Sequence, residues 1–243
     1  MTDDNKQRVA LVTGGAVRVG RAIALGLADA GYDVVIGYRS SPNGAEDVRS
    51  RIVEMGRACV TVQVDLTEPQ AAETIVAAAR SEFGRLDVLV NSAASFRAVP
   101  LLEVDADEWD AVMAVNTRAP HLVTRAAADL LRSAQGTVIN IVDLGAFQAW
   151  TEHPHHAVSK AALAHLTKIQ ARVLAPEVRV NAIAPGAVLA PDDWSSEKWD
   201  ALAAEASLAR VGTPDDVVAA VLYLIEANFV TGQILPVAGG RLL

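Results

Sequence analysis

Three stretches of the 243-residue chain carry residue types that can do chemistry together. The first is the glycine-rich turn Thr13-Gly14-Gly15-Ala16-Val17-Arg18-Val19-Gly20. Glycines there let the backbone turn tightly and bring N–H groups and a helix N-terminus close to a pyrophosphate. Gly20 is followed by Arg21-Ala22 rather than Lys-Ser/Thr, which argues against a nucleotide-hydrolase P-loop. The second stretch, Gly37-Tyr38-Arg39-Ser40-Ser41, has no acid before Glu46. A carboxylate there would accept from a ribose 2′-hydroxyl, whereas an arginine pairs a 2′-phosphate. Arg39, with the hydroxyls of Ser40 and Ser41, therefore predicts NADP(H) rather than NAD(H). The third is His153-Pro154-His155-His156-Ala157-Val158-Ser159-Lys160. His156 and Lys160, four apart, share one face of a helix. Histidine is the commonest metal ligand. Three imidazoles spaced H-x-H-H around a proline do not converge easily, however, and no carboxylate or cysteine pattern joins them, so no metal site is expected.

An alternating scaffold must position these groups. Apolar runs at Val9–Val12, Asp33–Tyr38, Cys59–Val62, Val88–Val90, Thr137–Val142, Val178–Ile183 and Gln233–Val237 predict seven strands. Their β-branched content and lack of polar alternation suit burial on both faces. Helical patterns lie near Val19–Ala30, Gly44–Met55, Pro69–Phe83, Asp107–Leu131, His156–Leu174 and Pro214–Glu226. Helices between successive strands imply a single-domain, doubly wound α/β fold, with a mostly parallel seven-stranded sheet and helices on both faces. Pro191–Lys198, with Asp192, Asp193, Trp194 and two serines, reads as an irregular excursion before a short helix. Such an insertion after a strand's carboxyl end sits where ligands bind in open α/β sheets.

Composition bounds the partners. A chain that is 51% hydrophobic and 21% charged is not disordered. A net charge of −8 argues against nucleic-acid or anionic-membrane partners. Cys59 is the only cysteine, so no internal disulfide can form. Met1–Lys6 opens acidic and polar, unlike a signal peptide, and no apolar run is long enough for a membrane helix. A soluble cytoplasmic protein is expected.

Further landmarks follow in order: Asp65-Leu66, Asn91-Ser92-Ala93-Ala94, Asn116, Ser159-Lys160, Pro185-Gly186 and Thr231-Gly232. Together they resemble the short-chain dehydrogenase/reductase family over essentially the whole chain. The resemblance implies a Rossmann fold holding NADP(H). Gly14, Arg18, Val19 and Gly20 would meet the pyrophosphate, with Arg39, Ser40 and Ser41 at the 2′-phosphate. Asp65 and Leu66 would meet the adenine, and Lys160 the nicotinamide ribose. Ala93, Pro185 and Gly186 would also line the cofactor, and Asn91 would bridge strands beside it.

Within that family the chain looks most like the pteridine reductases. Arg18 gives TGxxxRxG in place of TGxxxGxG, and Asp143, in Asn140-Ile141-Val142-Asp143, replaces the usual catalytic serine. Ser95-Phe96 resembles the segment whose phenylalanine stacks on a pterin over the nicotinamide. Phe96 would form a slot for a flat bicycle, and Arg18 would donate to its carbonyl edge. Asp143 would accept from a pterin amine or pass a proton to a ring nitrogen.

The break lies at the family's YxxxK, where His156 replaces the tyrosine and Lys160 is kept. Either His156 serves as proton donor, or the site binds NADP(H) and catalyses poorly. The implied function is an NADPH-dependent reductase of a pterin or dihydropterin, with Asp143, His156, Lys160 and Asn116 catalytic. The alternatives are a carbonyl or imine reductase of the same family and an impaired NADP(H)-binding protein. By resemblance Asn116 would hold a water in a proton relay; by itself a polar residue in mid-helix is unremarkable if it faces water. Trp150, Trp194 and Trp199 flank the mouth, and Trp194 would touch substrate. The alanine-rich helices at Asp107–Leu131 and His156–Leu174 imply, by resemblance, pairing into a homotetramer.

Overall fold

The structure, a computed structural model, describes residues 7–190 and 194–243. Met1–Lys6 and the first part of the expected excursion, residues 191–193, lie outside the described residues. The chain runs β1 (Arg8–Thr13), α1 (Arg18–Asp29), β2 (Tyr32–Tyr38), α2 (Pro42–Glu54), β3 (Cys59–Gln63), α3 (Ala71–Phe83) and β4 (Val88–Asn91). It continues through α4 (Ala106–Met113), α5 (Ala119–Ala134), β5 (Thr137–Ile141), α6 (Pro154–Leu174) and β6 (Arg179–Pro185). Helices α7 (Ser196–Ala204) and α8 (Pro214–Glu226) then precede β7 (Ile234–Val237).

The sheet order is β3-β2-β1-β4-β5-β6-β7. Every pairing is parallel, so the sheet is wholly rather than mostly parallel. Alternate residues explain the unbroken apolar runs. Val12, Ile36 and Val90 pack with α1 and α8 through Ile23, Leu27 and Val221. Their neighbours Leu11, Val35 and Leu89 pack on the other face with Ile75, Val123 and Leu131 of α3 and α5. Both faces are thus buried, as parallel sheets require. That expectation fails at the edges: β3 and β7 have one neighbour each and stay half-buried.

The fourth predicted helix, Asp107–Leu131, is three pieces. Between α4 and α5 lies a π-helical stretch, Ala114–Arg118, that carries Asn116. Among the described residues no helix is long and apolar enough to cross a membrane.

Register sets the site. Thr13 pairs with Asn91, and Asn91 with Asn140, so the carboxyl ends of β1, β4 and β5 stand level. Strand order reverses between β1 and β4, the crevice where open α/β sheets bind ligands.

Candidate active site

The loops leaving β1, β2, β4, β5 and β6 border a cleft of about 1060 Å³. At its β1 side, Gly14 takes φ 68°, and a Cβ there would lie 2.9 Å from Ala93 Cα. A Cβ on Gly20 would fall 2.2 Å from the Gly14 carbonyl oxygen. The turn thus packs too closely for side chains, and the first turn of α1 carries no acidic residue. Bare backbone and a helix N-terminus facing a cleft form an anion cradle, so the residues present fit a dinucleotide pyrophosphate. Arg39, Ser40 and Ser41 border the cleft beyond β2, with Asp65, Leu66, Val19 and Ala93. Asp65 Oδ1 accepts from the Thr67 backbone N–H at 2.9 Å and its hydroxyl at 2.8 Å. The backbone bond is the main reason its carboxyl sits below the ordinary carboxylate range.

Arg18 borders the cleft at φ 52°, a left-handed conformation that costs a non-glycine residue about 1–2 kcal/mol. Its Nη2 donates across the cleft to the carbonyls of Leu189 at 3.1 Å and Ala190 at 3.2 Å.

At the far end Asp143, His156 and Lys160 meet, the first at the end of β5 and the others one turn apart on α6. Asp143 caps the short 3₁₀ turn Leu144–Ala146, its Oδ1 accepting from Gly145 N–H at 2.9 Å. Its Oδ2 lies 2.5 Å from His156 Nε2. The other ring nitrogen, Nδ1, lies 2.9 Å from the Ser95 carbonyl oxygen. A carbonyl has no hydrogen to give, so Nδ1 carries one. Two bare acceptors would repel at 2.5 Å, so one more proton lies between Nε2 and Oδ2. The pair is either imidazolium with carboxylate or imidazole with carboxylic acid. Lys160 is buried and donates from Nζ to the Ile141 carbonyl at 2.8 Å. Desolvation lowers its pKa, and the Asp143 charge partly restores it.

Asn116 does not face water. It is fully buried, and its amide donates to the Ser95 carbonyl at 3.0 Å and the Ser159 hydroxyl at 2.9 Å. Its Oδ1 accepts from Ser95 N–H at 2.7 Å. The π-helical turn therefore fixes the same backbone segment that holds the His156 ring. Asn91 also stands back from the cleft, donating to Asn140 Oδ1 at 2.9 Å between two strands. Pro185, the last residue of β6, and Gly186 after it border the cleft, as does Trp194.

The three histidines diverge. His153 Nδ1 lies 2.9 Å from the Arg97 carbonyl, and His155 Nε2 lies 3.3 Å from Glu108, while His156 turns to Asp143. Among the described residues no three metal-ligating side chains gather. Phe96 is half exposed, and the His153 ring stacks on it at 4.0 Å and 24°. One face of the expected pterin platform is therefore covered by a side chain of the protein. Phe96 also stands edge-on to His156 at 4.7 Å, and the Trp150 ring lies within 6° of parallel to His156 at 6.3 Å.

Sequence reasoning missed the partners that are backbone atoms: the carbonyls of Ser95, Ile141, Leu189 and Ala190. No residue type marks these. Glu108 was also missed, and its salt bridge to Arg97 at 2.9 Å ties α4 to the Phe96 loop.

Comparisons with known proteins agree with this geometry. Residues 15–241 match the family described as Enoyl-(Acyl carrier protein) reductase. The chain is 32% identical to a 3-oxoacyl-[acyl-carrier-protein] reductase of Synechocystis, covering 97% of both chains. A short-chain dehydrogenase/reductase of Burkholderia xenovorans superposes with a TM-score of 0.91 at 30% identity, over 98% of this chain and 99% of that one. A blue fluorescent protein from a metagenomic library, solved in complex with NADPH, gives 0.90 at 34% identity over 97% and 98%.

Proposed function

The chain belongs to the short-chain dehydrogenase/reductase family, a class of NAD(P)-dependent oxidoreductases, and from that premise we propose that it is an NADPH-dependent reductase whose proton comes from Asp143 and His156. The observation that carries the reading is the 2.5 Å contact between these residues at the cleft. NADPH, when bound, supplies a hydride. Gly14, Gly20 and the start of α1 take its pyrophosphate, and Arg39, Ser40 and Ser41 its 2′-phosphate. Lys160 orients the nicotinamide ribose. The NADPH held by the metagenomic structure supports the choice of cofactor.

Asp143 gives the proton to the acceptor, and His156 replaces it from behind. The Ser95 carbonyl keeps the hydrogen of Nδ1 in place, so only Nε2 can pass a proton forward. A C=N bond in a flat, pterin-like ring suits this pair, because its nitrogen needs one proton as the adjacent carbon takes the hydride. Arg18 and Phe96 would hold such a ring.

Two observations favour the second reading, a carbonyl or imine reductase. Arg18 is engaged with Leu189 and Ala190, and Phe96 with His153. The Synechocystis relative is named for a 3-oxoacyl acceptor. Oxidation of NADPH by dihydrobiopterin, measured beside a 3-oxoacyl thioester, separates the two. Tight NADPH binding with neither acceptor reduced would leave an impaired NADP(H)-binding protein. Assembly as a homotetramer belongs to the same proposal, supported by exposed Val158, Ile169 and Val173 along one face of α6.

A further inference from the structure

Arg18 holds a backbone conformation that a glycine would take freely. Two other described non-glycine residues share positive φ, Gln135 and Ala209. Gln135 is the C-cap of α5, an ordinary use of a left-handed residue. Arg18 instead opens α1 at the turn that borders the cleft. Strain kept at such a place points to something the side chain does there.

What the side chain does is reach across the cleft. Its guanidinium binds Leu189 O and Ala190 O, more than 170 residues further along the chain. Those carbonyls belong to the chain that has just left β6, and Leu189 borders the cleft with Trp194 and Trp199. One end of Arg18 is therefore fixed in the phosphate turn, and the other holds the opposite wall. The bonds are solvent-exposed, so by themselves they are weak. A pyrophosphate in the turn would rigidify the backbone that carries the side chain, so less entropy is lost in holding both bonds.

We propose that Arg18 is a positioning residue that couples the two sides of the cleft: occupancy of the phosphate turn fixes the chain after β6 at Leu189 and Ala190. The coupling is reciprocal, so a fixed wall also retains the cofactor. The proposal rests on the reading that NADPH occupies the cleft and concerns the cleft before an acceptor enters.

Hydrogen exchange of the full chain with and without saturating NADPH tests it, in the wild type, Arg18→Gly and Arg18→Lys. In the wild type, NADPH slows exchange both at residues 14–24 and in the chain after β6, at 187–190 and in α7. In Arg18→Gly the protection at 14–24 persists, while that after β6 falls about tenfold. Both bonds come from Nη2, the tip of the side chain; Arg18→Lys keeps the charge on a side chain one atom shorter, whose ammonium stops short of the two carbonyls, and behaves like the glycine variant. It carries the same comparison should the glycine variant fold or bind poorly. Equal protection after β6 in all three proteins would overturn the coupling, as would protection of the turn alone in the wild type. No protection of either segment in the wild type would overturn the cofactor reading, and the coupling with it.

Discussion

Asp143 Oδ2 lies 2.5 Å from His156 Nε2, and both side chains line the cleft, the carboxyl the more openly: 19% of the Asp143 side chain is exposed against 2% for His156. The residue in the place of the family's tyrosine therefore offers an acceptor far less surface than Asp143 does. Its ring nitrogens are occupied by the Asp143 carboxyl and the Ser95 carbonyl. In the proposed mechanism the donor's work is divided between a buried histidine that stores the proton and a carboxyl that presents it.

Replacing the histidine by the family's tyrosine tests that division. His156→Tyr keeps a hydrogen-bond donor beside Asp143, so the turnover rate changes by no more than about tenfold. The pH profile shifts upward, since a phenol is in general a weaker acid than an imidazolium. Rates across pH check both. Creation of activity in an inert wild type would instead identify the histidine as an inactivating substitution.

In the proposed site Arg39 sets the choice of cofactor. Arg39→Ala weakens NADPH binding by about tenfold, because an exposed charge-assisted pair is lost, and leaves NADH binding unchanged. Fluorescence titration of both nucleotides reads this directly. Equal weakening of the two would remove Arg39 from the 2′-phosphate.

Lys160 makes the stability depend on pH. Burial lowers its pKa below the ordinary 10.5, so between the folded and unfolded values the unfolded chain binds more protons. Its contribution therefore becomes more favourable as pH rises towards 10.5 and is least favourable below the folded pKa. The melting temperature of Lys160→Met, relative to wild type, is highest near neutrality and falls relatively as pH approaches 10. Thermal melts at the two pH values measure the difference, and a constant difference would contradict the burial argument.

The sheet was legible because both of its faces are covered. In β1, Val9 and Leu11 belong to one core and Ala10 and Val12 to the other, so the strand reads as a continuous apolar run. The edge strands β3 and β7 read the same way yet are half-buried, since sequence does not say which strand lacks a neighbour. The π-helical turn at Asn116 was invisible, because its extra residue leaves the helical pattern almost unchanged. Spacing placed His156 one turn before Lys160. Their partners, the carbonyls of Ser95 and Ile141, come from loops and strands that no side-chain pattern specifies. Arg18 shows the same limit: its type suggested an anion, while its position reveals two carbonyls far along the chain.

The measurement that bears most directly on the account is NADPH oxidation by wild type and Asp143→Ala. Dihydrobiopterin and a 3-oxoacyl thioester serve as acceptors, scanned from about pH 5 to 8, where histidine side chains in general titrate. The account predicts that one acceptor is reduced faster as pH falls. Asp143→Ala then loses on the order of a hundredfold or more in rate, with NADPH affinity retained. An unchanged rate in Asp143→Ala would contradict it, as would tight NADPH binding with neither acceptor reduced at any pH.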